Sequence, residues 1–232
     1  MKKLVGVMVF VFAMQINAQD NSTLLKHYEA FYKQMQSQGD VQGVINALTH
    51  LTVLSPSQGR LDTLAVLYMN DNKHVQALNT IGIEKVASDS DIAVEVKARS
   101  LQALNQPERA IEQYEELFKR MPGVMIAYEL ADLKTQINDD TGATLHITFG
   151  IANSKDEIMR TFYESQTPYQ VPIKAAFLYL KGLIKFKENN ELNIDAAVTI
   201  LDEALQVAPN FNLAQLSKEA LLARKNAPEK KD

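Results

Sequence analysis

The stretch RAIEQYEELFKRMPG, Arg109 to Gly123, reads as one amphipathic helix that carries its own stop. Ala110, Tyr114 and Leu117 follow one another at spacings of four and three, so they share a helical face. A small residue, then an aromatic, then an aliphatic suits a narrow gap against a second helix. Met121 precedes Pro122, whose ring disfavours the helical region for the residue before it, and Gly123 follows. One such helix defines no fold. The question is whether the pattern recurs.

It recurs at a step of 33. Val44, Ala77, Ala110 and Ala143 are in register, and four residues after each stand Leu48, Ile81, Tyr114 and Ile147. Twelve after each come Pro56, Asp89, Pro122 and Lys155, so the closing proline is present in two of four. Twelve before the last three stand Ala65, Ala98 and Ala131, again 33 apart. In LDTLAVLY, Leu61 to Tyr68, Ala65 and Tyr68 give a first helix a small-plus-aromatic face, MNDNK makes the turn, and VQALNTIGIEK supplies the second helix. The unit is helix–turn–helix, and its small residues let the two helices approach closely. Recurring aromatics such as Phe31, Tyr68, Tyr114 and Phe177 belong to packing rather than to a stacking platform.

This pattern resembles the tetratricopeptide repeat, a unit of roughly 34 residues with small, apolar and aromatic positions in its first helix and Ala, an aromatic and a closing Pro in its second. A further unit fits near the end. AAVTILDEALQVAP carries Ala197, Leu201, Ala204 and Pro209, and AAFLYLKGLIKFKENN places Gly182 at the small position. Gly182 lies 15 residues before Ala197 rather than 12, so the intervening turn is longer. NLAQLSKEALLARK, Asn212 to Lys225, reads as a capping helix with a polar outer face, and residues 226–232 as a disordered tail. Two departures stand out: Tyr32 occupies a small position in the first unit, and Lys134 an apolar one in the fourth. The resemblance implies an all-α, right-handed superhelix of about five repeats with a C-terminal cap.

One interruption breaks the period, because Ala143 and Ala197 are 54 apart. Most of the excess lies in KDEIMRTFYESQTPYQVPIK, about 155–174, where Pro168 and Pro172 forbid a continuous helix. Ile158, Arg160 and Phe162 alternate with Met159, Thr161 and Tyr163, which reads as a short inserted β-hairpin; the competing reading is one more helix and a proline-rich loop.

The first 18 residues read as a secretory signal: Lys2 and Lys3, an apolar run from Leu4 to Met14, and Ala18 before the cleavage point. The run is too short to span a bilayer comfortably, which takes about 20 residues. The repeat domain then covers 19–225, and export to the periplasm or outside a bacterial cell is expected. Loss of Lys2 and Lys3 lowers the 24 basic residues to 22 against 28 acidic ones, about −6. That balance argues against nucleic acid as partner. With no cysteine there is no disulfide.

No chemistry-bearing motif is present. His27, His50, His74 and His146 have no metal-ligand spacing, and no phosphate loop, nucleophile elbow or dinucleotide fingerprint occurs. DSDIAVE and NDDTG read as helix starts, capped by Ser90 or Asp91 and by Asp140 or Thr141. No cofactor, metal or catalysis is expected. The expected role is a scaffold that binds a peptide or protein segment in a concave groove; the alternative is a structural subunit of an envelope assembly, held by its convex face or its insertion. The groove residues follow from the register. Three before each small first-helix position stand Glu29, Asp62, Glu95 and Tyr128, and one turn further Lys33, Val66, Arg99 and Asp132. Three acids in line would make a negative ridge suited to a basic or amide-rich segment. Phe162, Tyr163 and Tyr169, outside the repeat periodicity, are the candidate contacts of the insertion.

Overall fold

The structure is a computed structural model that describes residues 21–227; the signal and most of the tail expected from sequence lie outside the described residues. The chain divides into two compact units, one ending at Asn105 and the other beginning at Gln106.

The first unit holds α1 (21–38), α2 (Val41–Leu54), α3 (Gln58–Asn70), α4 (His74–Ile81) and α5 (Asp91–Ala103). Each helix from α2 onward packs on the next, and α3 also packs on α5, so first helices stack on first helices. Ala65 and Ala77 have no exposed surface and share one apolar cluster with Met69 and Val96. Tyr32, large where a small residue was expected, is half-buried against the cluster of Val44, Ile45, Leu48, Leu51 and Leu64.

The second unit holds α6 (Pro107–Arg120), α7 (Val124–Gln136), α8 (Asp140–Asn153), β1 (Met159–Phe162), β2 (Tyr169–Pro172), α9 (Ile173–Glu188), α10 (Ile194–Val207) and α11 (Asn212–Lys225). α6 stops where its sequence says: the Met121 N–H donates to Leu117 O at 2.8 Å, and Gly123 leads into α7. Ala127, Ala131, Ala143, Ala197 and Ala204 are fully buried in one core. At Gly182 a Cβ would meet Leu201 Cδ2 at 3.0 Å and Ala197 O at 3.5 Å, so α9 and α10 touch nearly backbone to backbone. The helix-turn-helix order of the repeat is thus present through both units, and α11 closes the series by packing on α10.

The turns within the helix pairs follow one device. Gly39, Asn72, Asn105 and Asn138 are 33 apart and all have positive φ, from 55 to 69°. At three of them the two bonds of a Schellman cap are complete: Gly39 N to Gln36 O and Asp40 N to Met35 O, Asn72 N to Met69 O and Lys73 N to Tyr68 O, Asn138 N to Thr135 O and Asp139 N to Lys134 O. Asn is among the few side-chain-bearing residues that tolerate this left-handed backbone. After the turn, α8 is capped by Asp139, which accepts from Gly142 N at 2.9 Å, not by Asp140 or Thr141 as the sequence suggested. The earlier residue wins because the left-handed Asn138 brings the chain into the helix one residue sooner. Ser90 caps α5 as expected.

Two polar residues in apolar positions find local partners. The Lys134 ammonium bridges Glu115 of α6 at 2.8 Å and the cap Asp139 at 3.1 Å. Lys97 has a fully buried side chain whose Nζ donates to Glu84 O at 2.7 Å and to Asp89 Oδ2 at 2.5 Å. Asp89 stands where Pro56 and Pro122 close other units. Here α4 ends early, at Gly82 with φ +84°, and the ion pair holds the longer connection instead.

The insertion is a two-stranded antiparallel hairpin, pairing Met159 with Pro172 and Phe162 with Tyr169. The helix-and-loop alternative is set aside.

Two measurements check these contacts. A Cβ at Gly150 would fall 2.0 Å from Cζ of the fully buried Phe177 ring. Gly150→Ala is expected to lower stability by about 1–3 kcal/mol in denaturant titration, overriding its intrinsic helix gain of about 1 kcal/mol. At Asn72 the left-handed backbone predicts that Asn72→Gly is neutral or stabilising, whereas Asn72→Val loses about 1–2 kcal/mol; equal melting of the two variants would contradict the cap.

Candidate functional site

The hairpin sits against the first-helix side of the second unit, and its docking creates the site. Val171 is fully buried, Ile173 N donates to Ile158 O at 2.8 Å, and Asn210 Nδ2 donates to Gln170 O at 3.2 Å. Phe162 stacks on Tyr169 with ring centroids 5.9 Å apart and leans on Phe211 at 4.9 Å; Tyr179 of α9 meets the same Phe211 at 5.3 Å. Phe211 has no exposed surface. From the other strand position, Arg160 reaches α7: its guanidinium pairs with Glu129 and lies 4.7 Å from the Tyr128 ring centroid. A charge-assisted pair and a cation–π contact therefore hold one edge of the hairpin, and an aromatic cluster the other.

Between them lies a cavity of about 480 Å³, bounded by α7, α9, Leu213 of α11 and the strand Arg160–Phe162 with Tyr163. Asp132 is its acid. Gln136 Nε2 donates to it at 3.1 Å. Burial pushes its carboxyl above the ordinary carboxylate range, the Glu129 carboxylate adds to this, and Arg160 and the Gln136 amide oppose without cancelling it. Burial also raises the Tyr128 hydroxyl, with the Asp132 charge acting in the same direction, and raises that of Tyr179. At the far end Lys187 is engaged by Thr135 O at 2.9 Å, Asn138 Oδ1 at 3.0 Å and Asp140 Oδ1 at 3.3 Å.

The residues expected in the groove are not a row of exposed charges. In the first unit Asp62 is 5% exposed and accepts from Gln58 Nε2 and from Ser90 Oγ, each at 2.7 Å. It ties α3 to the cap of α5, so its charge serves the packing of stacked first helices. Glu29 pairs with Arg60 at 3.0 Å, and Glu95 with Arg99 at 3.3 Å on an exposed surface of α5. In the second unit Tyr128 is 3% exposed, edge-on to Phe177, whereas Asp132 lines the cavity. Of the insertion residues, Phe162 and Tyr169 pack onto the core and Tyr163 is 76% exposed at the cavity rim. Burial pushes the Tyr169 hydroxyl up to about 12, helped by its hydrogen bond to Glu164.

Sequence reasoning missed Tyr179 and Leu183, although the signal existed. Tyr179 stands three before Gly182 and Leu183 one turn on, the same places as Tyr128 and Asp132 around Ala131. The broken spacing between the fourth and fifth units hid them.

Similarity to known proteins bears on the fold. The structure superposes on YrrB, described as a TPR protein with an unusual peptide-binding site, with a TM-score of 0.64 at 13% identity, covering 83% of this chain and 90% of YrrB. This is the tetratricopeptide-repeat fold. MamA from Desulfovibrio magneticus RS-1 is similar at a TM-score of 0.61 and 10% identity, covering 81% of this chain and 97% of that one. PilF of Pseudomonas aeruginosa is similar at 0.56 and 12% identity, covering 84% and 82%. No family model and no curated protein matches the sequence.

The raised Asp132 carboxyl has a thermodynamic consequence. The native state takes up its proton more readily than the unfolded chain, so stability falls as pH rises from the ordinary carboxylate value, about 4, through the raised native one. Asp132→Asn is expected to melt above the parent protein at pH 7, and the difference should shrink as pH falls toward about 4. A variant that melts lower at pH 7 would show that the carboxylate stabilises the fold instead.

Proposed function

We propose that this chain is a non-catalytic protein-interaction scaffold of the bacterial cell envelope, and that it binds a peptide or protein segment in the cavity between α7, α9, α11 and the hairpin. The observation that carries this reading is the docked hairpin: an element outside the repeat periodicity is clamped by Arg160 and the Phe162–Tyr169–Phe211 cluster so that a concave, aromatic-walled space remains open beside it. Concave sites with apolar walls and a few placed polar groups are the usual ligand sites of folded domains. The exposed Tyr163 at the rim adds the residue type enriched at protein contacts. Likeness of fold to YrrB, with its peptide-binding site, supports the same class of ligand. The envelope address rests on the basic, apolar and small-residue pattern of residues 1–18, with cleavage after Ala18.

The second reading, an assembly subunit held by its other face, also has an observation in its favour. α8, α9 and α10 frame a cavity of about 540 Å³ walled by Ile147, Ile151, Ile184 and Ile200.

Affinity capture from the native envelope fraction separates the two. Leu183→Arg, which fills the hairpin cavity, is expected to abolish capture of the partner, and Ile200→Glu to leave it intact. The opposite pattern would transfer the contact to the α8–α10 side. Amino-terminal sequencing of the exported protein should begin at Gln19.

A further inference from the structure

We infer that the hairpin cavity recognises a basic side chain, a lysine or arginine of the partner segment, which extends between aromatic walls to the Asp132 carboxylate. This rests on the cavity being the binding site. Three observations give the chemistry.

The two cations that border the cavity are already engaged. Arg160 is paired with Glu129 and laid over Tyr128, and Lys187 is held by Thr135, Asn138 and Asp140. Asp132, by contrast, receives a neutral amide from Gln136, while Arg160 acts on it only through space. A partly buried carboxylate with an amide for its contact partner is destabilised by loss of water, and a cation brought to it recovers that loss.

The walls suit the stem and head of such a side chain. Tyr179, Phe162 and Tyr163 line the space together with Leu180, Leu183 and Leu213. Long basic side chains lay their methylenes along apolar surface and keep the charged head at a polar tip. Aromatic faces attract the same head.

The remaining charges select against the opposite ligand. An acidic side chain would meet the Asp132 carboxylate, with Arg160 already paired to Glu129. A neutral amide could replace the Gln136 contact but would leave the carboxylate uncompensated.

A phage-displayed random heptapeptide library panned on the purified chain tests this. Selected peptides should share one Lys or Arg at a fixed position. In a synthetic peptide of the selected sequence, replacing that residue with norleucine, its uncharged analogue of similar length, should weaken binding roughly tenfold or more. The same replacement should matter little on Asp132→Asn, which is the coupling expected of residues in contact. Peptides selected without a common basic residue, or equal binding of the norleucine peptide, would overturn the inference. If Leu183→Arg still blocks those peptides, the cavity stands as the site and only its chemistry is wrong. If Leu183→Arg binds them like the parent, the site itself is wrong and the inference falls with it. Tyr163→Ala, at an exposed side chain, serves as the blocking variant should Leu183→Arg fail to fold.

Discussion

Two helices can approach to near backbone contact only where neither carries more than a methyl group. That constraint recurs along the chain after the first repeat, where Tyr32 takes the small position. Ala65 and Ala77, and Ala131 and Ala143, have no exposed surface, and a Cβ at Gly182 would come within 3.0 Å of Leu201 Cδ2 and 3.5 Å of Ala197 O. Once the small positions are set, the large residues around them, Leu48, Tyr114, Ile147 and Leu201, fill the space that the close approach leaves. Interiors are packed at crystal-like density, so an extra methylene at the centre cannot be absorbed by slack nearby. The register is thus imposed by exclusion, which is why small residues recur more faithfully than aromatic ones.

This explains what was legible in the sequence. A small residue every 33 positions is a one-dimensional trace of a local contact, since both helices of a pair lie close in the chain. The left-handed turns left a similar trace: Gly39, Asn72, Asn105 and Asn138 repeat with the same step, for backbone rather than packing reasons. Read together, the left-handed positions put each following N-cap one residue on, at Asp40, Lys73, Gln106 and Asp139. Lys97 and Lys134 were harder to read. Each occupies an apolar position because an acid elsewhere supplies a partner, Asp89 in one case and Glu115 with Asp139 in the other.

The candidate site was less legible, because its contacts are not periodic. Residues at one register position have different neighbours in different units. Asp62 bonds Ser90 and is buried, Glu95 pairs with Arg99 in the open, and Tyr128 lies beneath Arg160. Extrapolating a charge row from spacing treats these environments as equal, and they are not. The pair Arg160–Glu129 spans 31 residues and joins the insertion to α7; nothing in either local sequence announces it. What the sequence did show was that the insertion interrupts the period. The consequence, a wall built across the first-helix side of the second unit, is a matter of tertiary contact.

The way the hairpin is held bears on what it does. A partly buried ion pair contributes little net stability over a well-packed apolar pair, because both charges lose water. Its distinctive property is directional. The guanidinium must meet a carboxylate at Glu129 and a ring face at Tyr128 together, which fixes where the strand stands along α7. An apolar contact carries no such directional requirement. Asp132, one turn from Tyr128 and next to that clamp, sits where burial raises its carboxyl and disfavours the charged form. A fold stabilised elsewhere by fully buried alanines and leucines can carry that local loss. A directionally fixed strand beside an under-compensated acid is the arrangement on which the proposed site rests.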